Sequence, residues 1–301
     1  MRATTLLLVV LLVACAGDRD TGTTSSCSKR ADVARDVVYA SPGASDPTST
    51  SIDVYSPADT CEPASVVMWV HGGGWQRGDK ANGVADKARL FGEMGYVFVS
   101  VSYRLTDPAA ADPVTYPTHN EDVAAAVAWV TKHIAEYGGD PDHIALLGHS
   151  AGAAIVAAVV TDERYLGQHG LTLDAVACAA PLDTEGFDVA RSASAGGRRQ
   201  ALYRSVFGDD PSQWSDASPL AHVGPGKGIP PMLLVYRGTR ARRAQLDEFV
   251  AAVRSVDVDV QTIDAGTLTH AQVNTRIGAQ GDDVMTPAMT AFLDDCFAPR
   301  P

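Results

Sequence analysis

The sequence predicts an α/β fold: a mostly parallel central sheet with helices on both faces. Three observations carry that expectation. From residue 36 to the end, short β-branched runs alternate with helical patterns. Several of those runs are apolar throughout, as expected of strands buried on both faces. No internal repeat and no linker divides the chain after residue 35, so the rest forms one domain.

Taken in order, residues 37–39 and 52–55 read as short strands flanking a turn region of Ser, Pro, Gly and Asp, close enough to pair antiparallel. Residues 66–70 are a continuous apolar run, a buried strand. Residues 80–94 are helical and 96–101 form another buried strand. Val123, Val127, Val130 and Ile134 recur at helical spacing within residues 122–134. A strand at 144–147, a small-residue helix at 151–160 and a strand at 175–179 follow. Residues 181–231 look irregular. The pattern resumes with a strand at 232–236, a helix at 242–253, a strand at 258–263 and a closing helix at 284–297.

Composition narrows the function. The 301 residues are 46% hydrophobic and 20% charged, an ordinary globular profile rather than a disordered or membrane-embedded one. Twenty-four Lys and Arg against 36 Asp and Glu leave a formal charge of −12 with no basic block, which argues against nucleic-acid binding. Five cysteines are too few for a disulfide scaffold, and no C-x-x-C pair supports a zinc site, so no metal is expected.

The amino terminus reads as an address. Arg2 precedes an apolar run at residues 6–13, far short of the about 20 residues that a spanning helix needs. Leu12-Val13-Ala14-Cys15 resembles the bacterial lipobox, which implies cleavage before Cys15 and lipidation of that cysteine. The expected organisation is a signal peptide over 1–14, a lipidated flexible tether over 15–35 and the α/β domain over 36–301. The protein is then an exported bacterial lipoprotein that meets a cell-envelope membrane through its lipid anchor only. Export places the other cysteines in an oxidising compartment. A Cys27–Cys61 bridge is possible, Cys296 can replace either partner, and Cys178, inside an apolar run, reads as a buried thiol.

Two motifs carry the chemistry. Gly148-His149-Ser150-Ala151-Gly152 matches G-x-S-x-G between an expected strand and an expected helix, the context in which a tight turn exposes a nucleophilic serine. The helix amino terminus adds partial positive charge where an oxyanion would develop. His71-Gly72-Gly73-Gly74-Trp75 directly follows the 66–70 strand, and its glycines free backbone N–H groups to point at a ligand.

With both motifs in this order, the sequence resembles the α/β-hydrolase superfamily, specifically the HGGGW-bearing esterases. These include hormone-sensitive-lipase-like and feruloyl/acetyl-xylan-esterase-like groups, with kynurenine formamidases also similar. The resemblance runs roughly over residues 36–297 and includes Val101-Ser102-Tyr103-Arg104-Leu105 and Gly138-Gly139-Asp140-Pro141-Asp142. Ala154 departs from it, where a second glycine is frequent. The resemblance implies an α/β-hydrolase fold and a serine carboxylesterase acting through an acyl-enzyme on small to medium esters, without metal or organic cofactor. Ser150 is then the nucleophile, and Gly73, Gly74 and Ala151 form the oxyanion hole. Trp75 is a wall of the substrate pocket, His71 a support of the glycine loop, and residues 181–231, with Trp214, a short cap.

The chain order Ser, acid, His leaves His270, the one histidine after the 258–263 strand, as the base. The acid is displaced. The resembled families place an Asp after the 232–236 strand, but Gly238-Thr239-Arg240-Ala241-Arg242-Arg243 has Ala241 there. Some members carry it one strand earlier, which here points to Asp183; Glu185, Asp188, Asp247 and Asp264 are the alternatives. The altered loop keeps a second reading open, a catalytically silent surface-binding protein on the same fold, and a third is a formamidase. Oligomeric state is left open by the sequence.

Overall fold

Eight strands form a single sheet: β1 (Asp32–Val38), β2 (Ser51–Ser56), β3 (Ala64–Val70), β4 (Val97–Val101), β5 (Gly139–His149), β6 (Cys178–Leu182), β7 (Met232–Tyr236) and β8 (Val260–Asp264), in the order β1-β2-β4-β3-β5-β6-β7-β8. The computed structural model describes residues 32–39, 46–58 and 62–299. Pairing is antiparallel for β1–β2 and β2–β4 and parallel from β4 onward, as the runs of β-branched residues predict. β1 begins at Asp32, inside the stretch expected to be tether. The expected signal peptide, Cys15, Cys27 and Cys61 lie outside the described residues.

The centre of the sheet is buried on both faces, with alternate residues serving opposite layers, while the edge strand β1 is largely exposed. Val66, Met68 and Val70 of β3 pack with α2 (Thr118–His133) and α3 (Ala151–Thr161), while Val67 and Trp69 pack with α1 (Ala85–Glu93) and the far carboxy-terminal helix. α3 is buried along its whole length, which its run of Ala and Val permits by letting it sit close to the strands. The short α4 (Glu163–Gly167) follows it.

Residues 181–231, expected to be irregular, are mainly helical. They hold α5 (Val189–Ala193), α6 (Gly197–Phe207), α7 (Pro211–Asp216) and α8 (Pro219–His222). Three of these are too short to show a helical period. Their signals are local instead: Asp188 caps α5, and Asp210-Pro211 and Ser218-Pro219 put a capping residue before a proline at the first helical position. They build the cap. Tyr203 and Phe207 of α6 meet Trp75 edge-on at 5.4 and 5.3 Å, and Trp214 is buried with its indole N–H donating to Gly208 O at 2.9 Å.

After the cap come α9 (Arg240–Arg254), α10 (His270–Thr275) and α11 (Met285–Phe297), the last closing the layer opposite α2 and α3. Cys178 is not the free buried thiol that its apolar run suggests. Cys178 is buried, but it is bonded to Cys296 of α11. Cys178 opens β6 on the face that packs against α11, so strand parity delivers it to the last helix.

Candidate active site

The strand-to-helix turn between β5 and α3 sets Ser150 at φ 59° and ψ −116°, left-handed backbone that a non-glycine residue adopts only under constraint. The constraint is visible. Ser150 N–H donates to Leu182 O at 3.1 Å, and a Cβ on Gly152 would stand 2.2 Å from Val70 O. Only glycine lets α3 start this close to β3. The hydroxyl is thereby held at the carboxyl edge of the sheet, beside the amino terminus of a helix.

His270 is the first residue of α10, and its backbone is fixed by a capping box. Thr269 Oγ1 accepts from Gln272 N–H, and the Gln272 side chain accepts from Thr269 N–H at 2.8 Å. His149 adds a second restraint, its Nε2 lying 2.8 Å from His270 O with the two rings 4.5 Å apart. Burial first, and then the neighbouring His270, push the His149 pKa down to about 3, so at neutral pH the ring is uncharged and Nε2–H is the donor.

Asp183 follows β6 directly, also at positive φ (57°). His270 Nε2 lies 2.9 Å from Ser150 Oγ, and His270 Nδ1 lies 2.6 Å from Asp183 Oδ2. The three expected residues from three separate elements are thus one hydrogen-bonded chain. The alternatives for the acid are engaged elsewhere: Glu185 with Arg199 and Arg242, Asp188 on the α5 amino terminus, Asp247 on the Tyr236 hydroxyl, Asp264 on Arg243.

Arg237 and Arg242 were not anticipated. Arg237 Nε donates to Asp183 Oδ2 at 2.5 Å, and Arg242 donates to Oδ1 from Nη2 at 2.7 Å and from Nε at 3.1 Å. Arg242 Nη2 also reaches Asp183 O at 3.0 Å. Burial alone would raise the Asp183 pKa. The hydrogen bond to His270 and the two guanidiniums outweigh it and hold the carboxyl well below the usual range. Arg242 lies in the stretch where the resembled families keep their acid and Arg237 directly precedes it, so arginines clustered beside a missing aspartate were the available signal.

The glycine loop lies over Ser150. Gly73 has φ 126°, and a Cβ there would overlap Arg77 O, so this turn excludes every other residue. His71 supports the loop from below: it is buried, stacks on Tyr103 at 4.4 Å, and its Nδ1 donates to Gly72 O at 2.7 Å. Gly74, Trp75, Ser150, Ala151 and His270 line one pocket of about 270 Å³, and Gly73 lines an adjoining depression of about 450 Å³. Trp75 both packs under the cap and faces the pocket. A larger cavity of about 770 Å³ runs along α2, away from this chain. Its His133 pairs with Glu136 and its Thr131 hydroxyl bonds to Val127 O, so these two do not form a nucleophile and base.

His149, Asp183 and His270 are near enough together to suit a cation by spacing. The donor set does not fit one, because both Asp183 oxygens already face guanidinium groups.

Comparison with known proteins agrees with this architecture. The BD-FAE family model matches residues 52–257, ending before His270, which the fold brings to Ser150. The chain is 30% identical over 217 residues to esterase LipQ of Mycobacterium tuberculosis, spanning 69% of this chain and 49% of that protein. It is 39% identical over 122 residues to carboxylesterase NlhH of the same species, 40% of this chain and 36% of that one. The chain thus spans about half or less of the curated relatives it matches. Among solved structures, esterase B from Lactobacillus rhamnosis superposes with a TM-score of 0.71 at 20% identity, covering 88% of this chain and 86% of that one. A truncated carbohydrate esterase from gut microbiota gives 0.70 at 18% identity, covering 90% and 98%. These structures share the α/β-hydrolase fold. The chain belongs to the BD-FAE family, within the α/β-hydrolase esterases.

Proposed function

We propose that this protein is a serine carboxylesterase that hydrolyses small to medium esters through an acyl-enzyme. The observation that carries the reading is the Ser150–His270–Asp183 chain, at 2.9 and 2.6 Å, opening on a pocket beneath a glycine loop. Ser150 Oγ attacks the ester carbonyl carbon while His270 Nε2 takes its proton. Asp183 accepts the Nδ1–H, fixes the tautomer and balances the imidazolium. The N–H groups of Ala151, Gly73 and Gly74 receive the oxyanion. As the tetrahedral intermediate collapses, His270 returns the proton to the leaving alkoxide and the alcohol departs. Water, deprotonated by His270, then attacks the acyl-enzyme and frees the acid. Trp75 forms a wall of the substrate pocket.

The altered loop after β7 no longer favours a silent binding protein, since its arginines hold the relocated acid. The test is hydrolysis of 4-nitrophenyl acetate and butyrate beside an N-formyl aromatic amine. Ester turnover is expected to fall on the order of 10⁴-fold or more in Ser150→Ala. Equal rates in wild type and variant overturn the reading, and preference for the formamide replaces it with a formamidase.

The same proposal includes export and lipidation at Cys15. The lipobox-like Leu12-Val13-Ala14-Cys15 supports it, as does the Cys178–Cys296 disulfide, a bond that persists chiefly in oxidising compartments. Labelled palmitate should enter the protein expressed in bacteria and be lost in Cys15→Ser. Equal labelling of both, or of neither, removes the anchor.

A further inference from the structure

The chain is acidic, at −12 overall, yet the pocket at Ser150 is lined by three arginines, Arg198, Arg199 and Arg242, against two carboxylates, Asp183 and Glu185. Those carboxylates are fully engaged. Arg199 and Arg242 hold Glu185 at 2.8 and 2.7 Å, and Arg242 and Arg237 hold Asp183 at 2.7 and 2.5 Å. Arg198 remains: exposed, lining the pocket, and in no ion pair among the described residues.

Its position in α6 is also costly for a merely structural arginine. Arg198 and Arg199 fall in the first turn, where the helix dipole favours carboxylates over cations. No acidic residue stands in that turn, and Gly196 at its start offers no side chain to accept the free N–H groups. Arg199 is offset by its pair with Glu185, but Arg198, at the positive end of a helix and beside a nucleophile, breaks a local rule with no ion pair in return, which is typical of functional sites. The combined field there attracts anions in a molecule whose net charge is negative.

We propose that Arg198 is a specificity-determining residue that binds a carboxylate elsewhere on the substrate, so the preferred substrates are esters that also carry a free carboxylate. This rests on the esterase reading and names its substrate class. The guanidinium fork matches a carboxylate with two parallel N–H donors. One uncompensated arginine suits a monoanion better than a dianionic phosphate. The pocket, about 270 Å³, is small enough that a group bound at Arg198 shares it with the ester at Ser150. The carboxylate is not consumed; it orients the ester for attack.

Two matched pairs test this on the full-length protein. In 4-acetoxybenzoate against 4-acetoxybenzamide the carboxylate is on the alcohol side. In mono-4-nitrophenyl adipate against 4-nitrophenyl hexanoate it is on the acyl side. In at least one pair the anionic ester is expected to have the higher kcat/KM. That ratio is expected to fall about tenfold in Arg198→Gln, as for loss of one charge-assisted pair, with partial recovery in Arg198→Lys. The preference should also shrink as salt rises. Since Arg198→Gln removes a cation from a helix amino terminus, its Tm should equal or exceed that of the wild type, which separates lost recognition from lost folding. Turnover of neutral and anionic esters in ratios that Arg198→Gln leaves unmoved overturns the inference while the esterase reading stands. No turnover of any ester, at an unchanged Tm, overturns both.

Discussion

Asp183 does two jobs with one carboxylate. Its Oδ2 accepts from both His270 and Arg237, and Oδ1 takes Arg242. Arg237 Nη2 stands 3.5 Å from His270 Nδ1, so the carboxylate separates two groups that would otherwise repel when the ring is protonated. Removing the charge therefore damages the reaction and the fold together. In a serine protease, the Asp to Asn change costs about 10⁴ in turnover, roughly 5–6 kcal/mol of barrier, and a loss of that order is expected for Asp183→Asn. Stability should fall too, by about 3 kcal/mol near neutral pH, because the largely buried Arg237 loses its counter-charge and Arg242 keeps only Glu185. The sign with pH follows from the depressed carboxyl. The unfolded chain takes up the proton near the ordinary value of about 3.9, the folded one only at lower pH. Stability from Asp183 is thus complete above about pH 5 and is lost as pH falls through the folded-state value. Denaturant unfolding of wild type and Asp183→Asn from pH 3 to 7 should show a constant gap above pH 5 that narrows in acid. A gap independent of pH would mean that the arginines do not hold the charge.

Elements were legible to the extent that they announce themselves locally. The central parallel strands β3, β4 and β7 are largely apolar runs, and they fall within two residues of where the sequence places them. β5 extends further back than expected, to Gly139, because Asp140-Pro141-Asp142 has the composition of a loop, yet Gly139 before it pairs with Ala64 of β3 across an irregularity in the register. β6 falls later than expected, at Cys178–Leu182 rather than 175–179, with Leu173–Ala175 forming a 3₁₀ turn before it. Pro181 reads as a breaker, but the β6–β7 pairing is confined to Ala179–Met232, and a proline is tolerated where a strand has lost a neighbour. Ser150 and His270 were legible because a turn motif and a chain order locate them. Asp183 followed from that same order once Ala241 ruled out the usual place. The arginines on Asp183 were not legible: 54 and 59 residues separate them from it, and a charge in a sequence does not name its partner. The cap helices escaped because four to eleven residues of mixed polarity carry too few turns for a periodic signal.

At the scale of the whole molecule, the site depends on residues drawn from both halves of the chain, and among the described residues one covalent link closes a loop over most of the carboxy-terminal half. Cys178 starts β6, the strand whose other end delivers Asp183, and its partner Cys296 lies in α11, 118 residues later. The bond encloses the cap, β7, the arginine-bearing α9 and the helix that starts with His270. Closing a loop of that length restricts the unfolded chain by an entropy equivalent to about 5 kcal/mol, somewhat less if the unfolded state keeps residual structure. Cys296→Ser should therefore lower the free energy of unfolding by about 3–5 kcal/mol in chemical denaturation. Reductant should lower the stability of the wild type by a similar amount more than that of the variant. Turnover at 25 °C is expected to survive, because the bridge sits at the opposite end of β6 from Asp183 and touches no group in the hydrogen-bonded chain. A variant as stable as the wild type would show that the packing of α11 against Val67 and Trp69 holds the molecule without the cross-link.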